Sequence, residues 1–316
     1  MKSNNLVIIS GPTAVGKTSL SIKLAKEING SIISADSMQV YKHMNIGSAK
    51  ITKEEMDGVK HYLIDILEPE NEFNIVTFQK YAKDAIDTIS AEGKTPIIVG
   101  GTGFYIQALL YNIEFSEESS EDSDYRNELT KMANDNGNEY IHELLKQVDL
   151  ESYNTIHAND TKRVIRALEY YKQTGEKISE HNKIQQQKTS PYNFKYFVIN
   201  DNRDLLYENI NKRVDMMIDN GLIDEVKKLK ERGLSINNIS MQGLGYKEIL
   251  SYLNGEISLE DAIYMIKRDT RHFAKRQITW FKREDDVIWI NKDEFEYNES
   301  RILEYIKEQL KSAKII

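Results

Sequence analysis

One stretch near the start of the chain constrains the fold more than any other. The apolar run at residues 6–10 leads into Gly11-Pro-Thr-Ala-Val-Gly-Lys-Thr18, and residues 20–28 favour a helix. A strand, a glycine-bounded loop and a helix in this order form the P-loop pattern, in which backbone N–H groups point at a phosphate. The helix N-terminus adds the positive end of its dipole to the same site. The pattern therefore predicts a phosphate-binding loop rather than an ordinary turn.

The residue types in this loop have distinct expected roles. Lys17 brings positive charge to the phosphate, and the Thr18 hydroxyl is a ligand for Mg²⁺, which we expect as the cofactor. We expect a bound diphosphate or nucleotide to contact the whole loop: Gly11, Pro12, Thr13, Ala14, Val15, Gly16, Lys17 and Thr18.

The composition excludes several kinds of site. The chain has 316 residues and no cysteine, so disulfides, zinc sites with cysteine ligands and cysteine nucleophiles are ruled out. No apolar run approaches the roughly eighteen residues of a membrane span, and no signal peptide is visible. We therefore expect a cytoplasmic protein with no membrane partner, and we expect a monomer.

The order of strand and helix patterns predicts the fold class. Strand patterns at residues 31–35 and 95–99 alternate with a helical pattern at 76–93, and residues 100–103 form a second glycine-rich turn. Such alternation is typical of an α/β fold with a P-loop-type parallel sheet core flanked by helices. Residues 116–190 lack strand patterns, so we predict an all-helical insertion domain there. The core domain would comprise residues 1–115 plus 191–316.

Asp36 directly follows the second predicted strand. Since the carboxyl ends of parallel strands meet at one sheet edge, Asp36 should lie on the same edge as the P-loop. It is a candidate active-site carboxylate, and the alternative is an aspartate that serves a turn or a helix cap.

A basic helix is predicted at residues 259–282. Residues 267–283 contain seven bases and one acid, in a protein of net charge −8. The pattern is compatible with a solvated face or with a surface for an anionic partner. The apolar stripe expected on the other face is Ile263, Ile266, Phe273, Ala274, Ile278 and Phe281.

The residues alone indicate a P-loop enzyme that handles phosphate and carries a basic helix. An ATP-dependent small-molecule kinase and a nucleotide-binding module remain alternatives at this point. A kinase would be expected to have an arginine-rich lid, whereas the predicted insertion opens with seven acids and one base over residues 114–128.

Several motifs, in order and with compatible spacing, resemble those of tRNA dimethylallyltransferases of the bacterial type. The resemblance extends from the first strand to Phe281 and is more specific than the P-loop alone. Its motifs are Gly11-Pro-Thr-Ala-Val-Gly-Lys-Thr18, Asp36-Ser-Met-Gln-Val-Tyr41, Ile46-Gly-Ser-Ala-Lys50, His61-Tyr-Leu-Ile-Asp65, Val99-Gly-Gly-Thr-Gly103, Lys162-Arg-Val-Ile-Arg-Ala-Leu-Glu169, Gly245-Tyr-Lys-Glu248 and Thr270-Arg-His-Phe-Ala-Lys-Arg-Gln-Ile-Thr-Trp-Phe281.

The resemblance implies a substrate pair and a set of roles. A dimethylallyl group would pass from dimethylallyl diphosphate to N6 of the adenine 3′ to the anticodon (A37) in tRNA, with Asp36, Thr18 and Lys17 as catalytic residues. The tRNA anticodon stem-loop would be bound by Asp36, Ser37, Met38, Gln39, Thr102, Asp160, Lys162, Arg163, Arg166, Arg271, Lys275, Arg276 and Gln277.

The sequence departs from the family pattern at a few positions. Val15 replaces a common serine in the P-loop, and Asn209 stands where many members have arginine. The resemblance then implies that Arg213 or Arg203 contacts the diphosphate instead. Trp280 is a candidate for stacking on a base, whereas we expect Phe281 in the core.

Overall fold

The computed structural model describes residues 5–115 and 120–316. Their strands form one parallel sheet in the order β3-β2-β4-β1-β5-β6. The strands are β1 (Asn5–Ser10), β2 (Gly30–Ser34), β3 (His61–Tyr62), β4 (Thr95–Gly100), β5 (Asn193–Asn200) and β6 (Val287–Asn291). This sheet confirms the predicted α/β class.

The centre of the sheet is apolar because both of its faces are covered. Leu6, Val7, Ile8 and Ile9 of β1 are fully buried. A continuous apolar run of this kind is typical of a parallel strand with helices on both faces. The neighbouring helices are α1 (Lys17–Glu27), α2 (Ile75–Ala91) and α3 (Gly103–Leu110).

Residues Tyr111–Ser190 form a second compact unit, and the remaining chain forms the first. This unit contains α4 (Ser120–Asn136), α5 (Asn138–Val148), α6 (Leu150–Thr155), α7 (Thr161–Thr174) and α8 (Ile178–Gln186). The helical unit begins at Tyr111, whereas the sequence predicted a boundary at 116, and residues 116–119 lie outside the described residues.

The helical unit has its own core, which includes Leu129, Ile141, Leu145, Val164 and Leu168. A buried aspartate ties its later helices together, since Asp149 accepts hydrogen bonds from the backbone and hydroxyl groups of both Ser152 and Ser179, at 2.7–3.0 Å. Helical sequence patterns at residues 125–134, 140–146 and 160–174 predict α4, α5 and α7, whereas the short and mostly polar α6 and α8 show no such pattern.

The first unit resumes after the insertion with β5 and a series of helices. These are α9 (Arg203–Asp219), α10 (Leu222–Glu231), α11 (Tyr246–Leu253), α12 (Leu259–Phe281) and α13 (Glu299–Ser312), with short 3₁₀ helices at Ile239–Gln242 and Lys292–Phe295. The sequence pattern predicts a C-terminal helix from about residue 294. It begins at Glu299 because the Asn298 side chain caps it, accepting from the N–H groups of Ser300 and Arg301.

The ends of three strands are tied closely together. The Ser10 hydroxyl at the end of β1 donates to the Gly100 carbonyl of β4 at 2.6 Å. A Cβ at Gly100 would lie 2.3 Å from the Ala35 carbonyl oxygen, so only glycine permits this approach to the chain after β2. The P-loop, Asp36 and the second glycine turn therefore leave the sheet at one edge, as predicted.

No helix in residues 5–115 and 120–316 has the length and apolar character needed to cross a membrane.

Candidate active site

The P-loop is curled by residues with unusual backbone geometry. Gly16 has a φ of +96° and precedes α1, and Ala14 has a φ of +64° in the left-handed region. A Cβ at Gly11 would lie 2.3 Å from the Ile199 carbonyl oxygen of β5. Left-handed backbone at a non-glycine residue concentrates at functional loops, because surrounding contacts must hold it in place.

Lys17 is folded back onto this loop. Its Nζ donates to the carbonyl oxygens of Gly11 at 2.9 Å and Pro12 at 2.8 Å. Burial, together with the nearby charge of Arg213, lowers the pKa of Lys17 to about 7, although the charge of Asp36 acts in the opposite direction. The amine is therefore held where it can gain a full positive charge when an anion arrives.

A cavity of about 470 Å³ opens beside the loop. It brings together three cationic side chains with two carboxylates. Its lining residues are Ala14, Gly16, Lys17, Thr18, Ser19, Ile22, Lys23, Glu55, Asp57 and Arg213.

Arg213 belongs to this cavity. Its Nη1 lies 3.5 Å from the Thr13 hydroxyl oxygen. Burial lowers the pKa of Arg213, and the charges of Asp36 and Glu55 act in the opposite direction. Arg203, the other arginine expected to offset Asn209, lies instead over the Tyr207 ring at 5.1 Å. Of the two, Arg213 is positioned to meet an anion in the cavity.

Asp36 caps its own turn. Its Oδ1 accepts hydrogen bonds from the backbone N–H groups of Met38 at 2.8 Å and Gln39 at 3.3 Å. The same carboxylate raises the pKa of both Lys17 and Arg213. The turn and active-site interpretations of Asp36 are thus compatible, because the turn fixes a carboxylate within electrostatic range of both cations.

The residues after Asp36 are half-buried and partly engaged within the protein. The Gln39 side chain accepts from the Ser34 hydroxyl at 3.2 Å and donates to the Ala49 carbonyl at 3.3 Å. The Met38 side chain lies against Gly243, where an added Cβ would be 2.6 Å from its Cε. These contacts fix the shape of the turn that carries Asp36.

Two remote charged residues also hold this region, and the sequence reasoning assigned them no role. Glu225 of α10 accepts from three successive backbone N–H groups, those of Asn45, Ile46 and Gly47, and from the Tyr246 hydroxyl, at 2.8–3.1 Å. Lys50 is buried and donates to a carbonyl, an amide and a carboxylate: Tyr41, Asn45 and Asp65. The only available signal was the motif Ile46-Gly-Ser-Ala-Lys50.

An aromatic residue beside Asp36 was also missed. Tyr105 of α3 stacks on Phe78, with ring centroids 4.6 Å apart. Burial, reinforced by the charges of Tyr41 and Asp36, raises the pKa of Tyr105 to about 12. A buried aromatic residue therefore lies near the Asp36 carboxylate, and its phenol stays protonated at neutral pH.

The second glycine turn is covered by Trp280. Thr102 directly precedes α3, and its carbonyl accepts from the Tyr105 N–H at 3.0 Å. A Cβ at Gly103 would lie 2.2 Å from the Trp280 ring, which also meets Phe104 edge-on at 5.9 Å. Trp280 thus packs within the protein, and Phe281 is fully buried as predicted.

Gln277 differs from the prediction. It was expected to meet RNA, but only 6% of its surface is exposed. Its Oε1 accepts from the Thr13 N–H at 2.9 Å, and its Nε2 donates to the Gly101 carbonyl at 2.9 Å. The side chain points inward because it lies on the buried face of α12 with Ala274 and Phe281.

The basic face of α12, defined here as Arg271, Lys275, Arg276 and Lys282, is exposed at its last three residues. Arg271 is half-buried and donates to the Asn211 side chain of α9 at 2.6 Å. The remaining predicted RNA contacts lie on or beside α7 in the helical unit. There Lys162 and Arg163 are exposed, Arg166 is half-buried, and Asp160 pairs with Arg163 at 3.3 Å.

The expected magnesium site was tested against the donors present. Within residues 5–115 and 120–316, no group of three histidine, aspartate or glutamate side chains could hold a metal ion. Thr18 nevertheless lines the cavity beside two carboxylates. Mg²⁺ prefers oxygen ligands and commonly takes only one or two from the protein when a substrate phosphate supplies others. The residues therefore fit a magnesium ion held jointly with a phosphate.

Comparisons with known proteins agree on one family. The family model described as IPP transferase matches residues 39–284. A tRNA dimethylallyltransferase of Lachnoclostridium phytofermentans is 59% identical over 302 residues, which cover 96% of each chain.

Solved structures give the same result. The full-length tRNA isopentenylpyrophosphate transferase of Bacillus halodurans is 44% identical, with a TM-score of 0.74 and 99% and 98% of the two chains covered. A eukaryotic dimethylallyltransferase, described as acting on tRNA, is 31% identical with a TM-score of 0.78, over 92% of this chain and 74% of that one. Since these matches extend over most of the sequence, the chain belongs to the tRNA dimethylallyltransferase family.

Proposed function

We propose that this enzyme transfers a dimethylallyl group from dimethylallyl diphosphate to N6 of the adenine at position 37 of tRNA, 3′ to the anticodon. The allylic C–O bond breaks, the new C–N bond forms, N6 loses a proton and diphosphate leaves. The observation that carries this proposal is the convergence of Lys17, Arg213 and Asp36 at one sheet edge. Two cations suit the leaving group, and one carboxylate suits the amine.

The leaving group needs electrostatic stabilisation. Negative charge grows on the diphosphate as the C–O bond breaks, and donors already aimed at that charge lower the barrier. The curled P-loop, Lys17 and Arg213 supply those donors around the cavity. The Thr18 hydroxyl would help to hold Mg²⁺, which would supply further positive charge at the leaving group.

The attacking amine needs a proton acceptor. The N6 lone pair is delocalised into the adenine ring, so N6 is a weak nucleophile until its proton is removed. Asp36 is held in place by its own turn, and we assign it the role of accepting the N6 proton. A positioned general base of this kind contributes roughly 10²–10⁴-fold.

The tRNA must present its adenine outside the base stack. Enzymes that modify a base generally flip it into a pocket, and we expect the turn at residues 36–39 together with Thr102 to receive it. The basic face of α12 and the exposed bases of α7 are suited to phosphate contacts that position the RNA.

One assay tests the proposal against the kinase alternative, which none of the relatives described above supports. The enzyme is incubated with unmodified tRNA and radiolabelled dimethylallyl diphosphate, and in parallel with γ-labelled ATP. Label should enter the tRNA from the first donor only, and a tRNA with guanine at position 37 should remain unlabelled. Phosphoryl transfer from ATP, or equal labelling of the guanine-37 tRNA, would refute the proposal.

A further inference from the structure

Gln277 connects two loops that are far apart in sequence. Its side-chain amide lies between the P-loop and the second glycine turn, with both hydrogen bonds at 2.9 Å. One bond reaches the Thr13 N–H and the other the Gly101 carbonyl. The two loops follow β1 and β4, and so the amide spans the point where the diphosphate site and the expected base pocket meet.

The chemistry of this link is specific. One loop presents a donor and the other an acceptor, and among side chains only a carboxamide offers both a carbonyl oxygen and an NH₂ group. A Cβ at Gly101 would lie 2.1 Å from the Gln277 Nε2, so the glycine is what permits the contact. Gln277 and Gly101 therefore behave as a matched pair.

The link also joins the loops to the RNA-facing helix. Lys275 and Arg276 are exposed on α12, whereas the next residue, Gln277, points inward to both loops. We propose that Gln277 is a positioning residue: it holds the P-loop at a fixed distance from the turn that carries Thr102, and it does not contact tRNA.

Such a role matters because the transfer reaction depends on alignment. The leaving diphosphate is held by one loop and the adenine by the other, so their separation sets the approach of N6 to the allylic carbon. A displacement of about 1 Å between reacting groups can cost about 10²-fold in rate. The inference rests on the proposed transfer reaction for its kinetic readout.

The first experiment replaces the amide by an apolar side chain of similar length. Gln277→Met should lower kcat about 10–100-fold and weaken binding of inorganic diphosphate, measured by calorimetry. The dissociation constant for tRNA, measured by filter retention, should change less than twofold. Thr279→Ala is the matched control, because Thr279 is exposed on the same helix and its hydroxyl donates to the Lys275 carbonyl one turn earlier. Far-ultraviolet circular dichroism and urea unfolding check that each variant is folded.

The second experiment tests the pair by a double-mutant cycle. Gly101→Ala should displace the amide and lower kcat about tenfold. In a Gln277→Ala background the space is vacant, so adding Gly101→Ala should change kcat by less than twofold. The Gly101→Ala substitution disturbs the hydrogen-bonded link from the second glycine turn, so the cycle tests the inference even if Gln277→Met fails to fold.

The outcomes that overturn the inference are distinct from failure of the proposed function. Additive effects in the cycle would mean that the two residues act independently. A tenfold loss of tRNA affinity in Gln277→Met, with kcat and diphosphate affinity unchanged, would show that Gln277 contacts RNA directly. If the parent enzyme labels no tRNA, the proposed function fails, whereas diphosphate binding by the same variants still tests the link.

Discussion

Diphosphate binding should be coupled to proton uptake by Lys17. Burial and Arg213 lower the pKa of Lys17 to about 7, so the free enzyme carries a partly neutral amine at neutral pH. A neutral amine can still donate to the carbonyls of Gly11 and Pro12, which explains how the loop holds it. A bound diphosphate favours the ammonium form and should return the pKa of Lys17 towards the ordinary lysine value of 10.5.

The size of the effect follows from this shift. Above pH 7, each pH unit should weaken diphosphate binding about tenfold through Lys17 alone, until the pH nears the bound-state pKa. At pH 8 the protein should take up about 0.9 proton per diphosphate bound. Calorimetry in two buffers of different ionisation enthalpy, at pH 6, 7 and 8, measures this number directly.

The matched control is Lys17→Met, because diphosphate itself titrates in this range and its contribution must be subtracted. The free energy of unfolding should change with pH in the opposite direction to diphosphate affinity. Since the unfolded chain keeps its Lys17 proton up to about pH 10.5 and the native state loses it near 7, the free energy of unfolding should rise with pH between these values relative to Lys17→Met. Equal proton uptake by the parent and by Lys17→Met would refute the reasoning.

Substitutions in three other parts of the protein give further predictions. Asp36→Asn keeps the acceptor for its turn but removes the base, so transfer should fall roughly 10²–10⁴-fold while tRNA affinity, measured by filter retention, stays nearly unchanged. Lys275→Gln and Lys282→Gln should each reduce the slope of log affinity against log salt by roughly 0.7–0.9 and leave diphosphate affinity unchanged; an unaltered slope would mark a solvated surface. Glu225→Ala leaves three loop N–H groups without their acceptor and should cost about 1–3 kcal/mol in urea unfolding, compared with exposed Glu231→Gln as control.

The parts of the site that could be predicted from sequence are those with a local pattern. The P-loop and the turn at Asp36 both follow apolar strands and place their chemistry within a few residues of the strand ends. Parallel topology then brings those ends together without further information. The strand β3 is short because Leu63 and Asp65 adopt positive φ values of 62° and 54°, which interrupt the extended backbone.

Residues that act across the sequence could not be predicted in this way. Glu225 binds a loop about 180 residues away, and no local pattern indicates such a partner. Gln277 does have a recognisable position in the helical sequence pattern. It lies three residues after Ala274 and four before Phe281, which is the spacing of one helix face, so a polar residue was present within a buried stripe. A buried amide of this kind must find partners, and both loops provide them.

The structure also changes how the charge of α12 should be counted. Lys267 pairs with Asp215 at 2.5 Å and Arg268 with Asp269 at 2.7 Å, so the two bases at the N-terminal end of the cluster are already neutralised. Exposed charge therefore concentrates on Lys275, Arg276, Lys282 and Arg283, at and just after the C-terminal end of α12, where the helix dipole favours cations. Four phosphate contacts at roughly 0.7–0.9 each would give this cluster a salt slope of about 3, well below the value of about 5–6 that all seven bases would imply. A measured slope well above 3 for the parent enzyme, with a reduction in each single variant, would therefore assign the remaining contacts to bases outside this cluster, and Lys162 and Arg163 of α7 are exposed candidates.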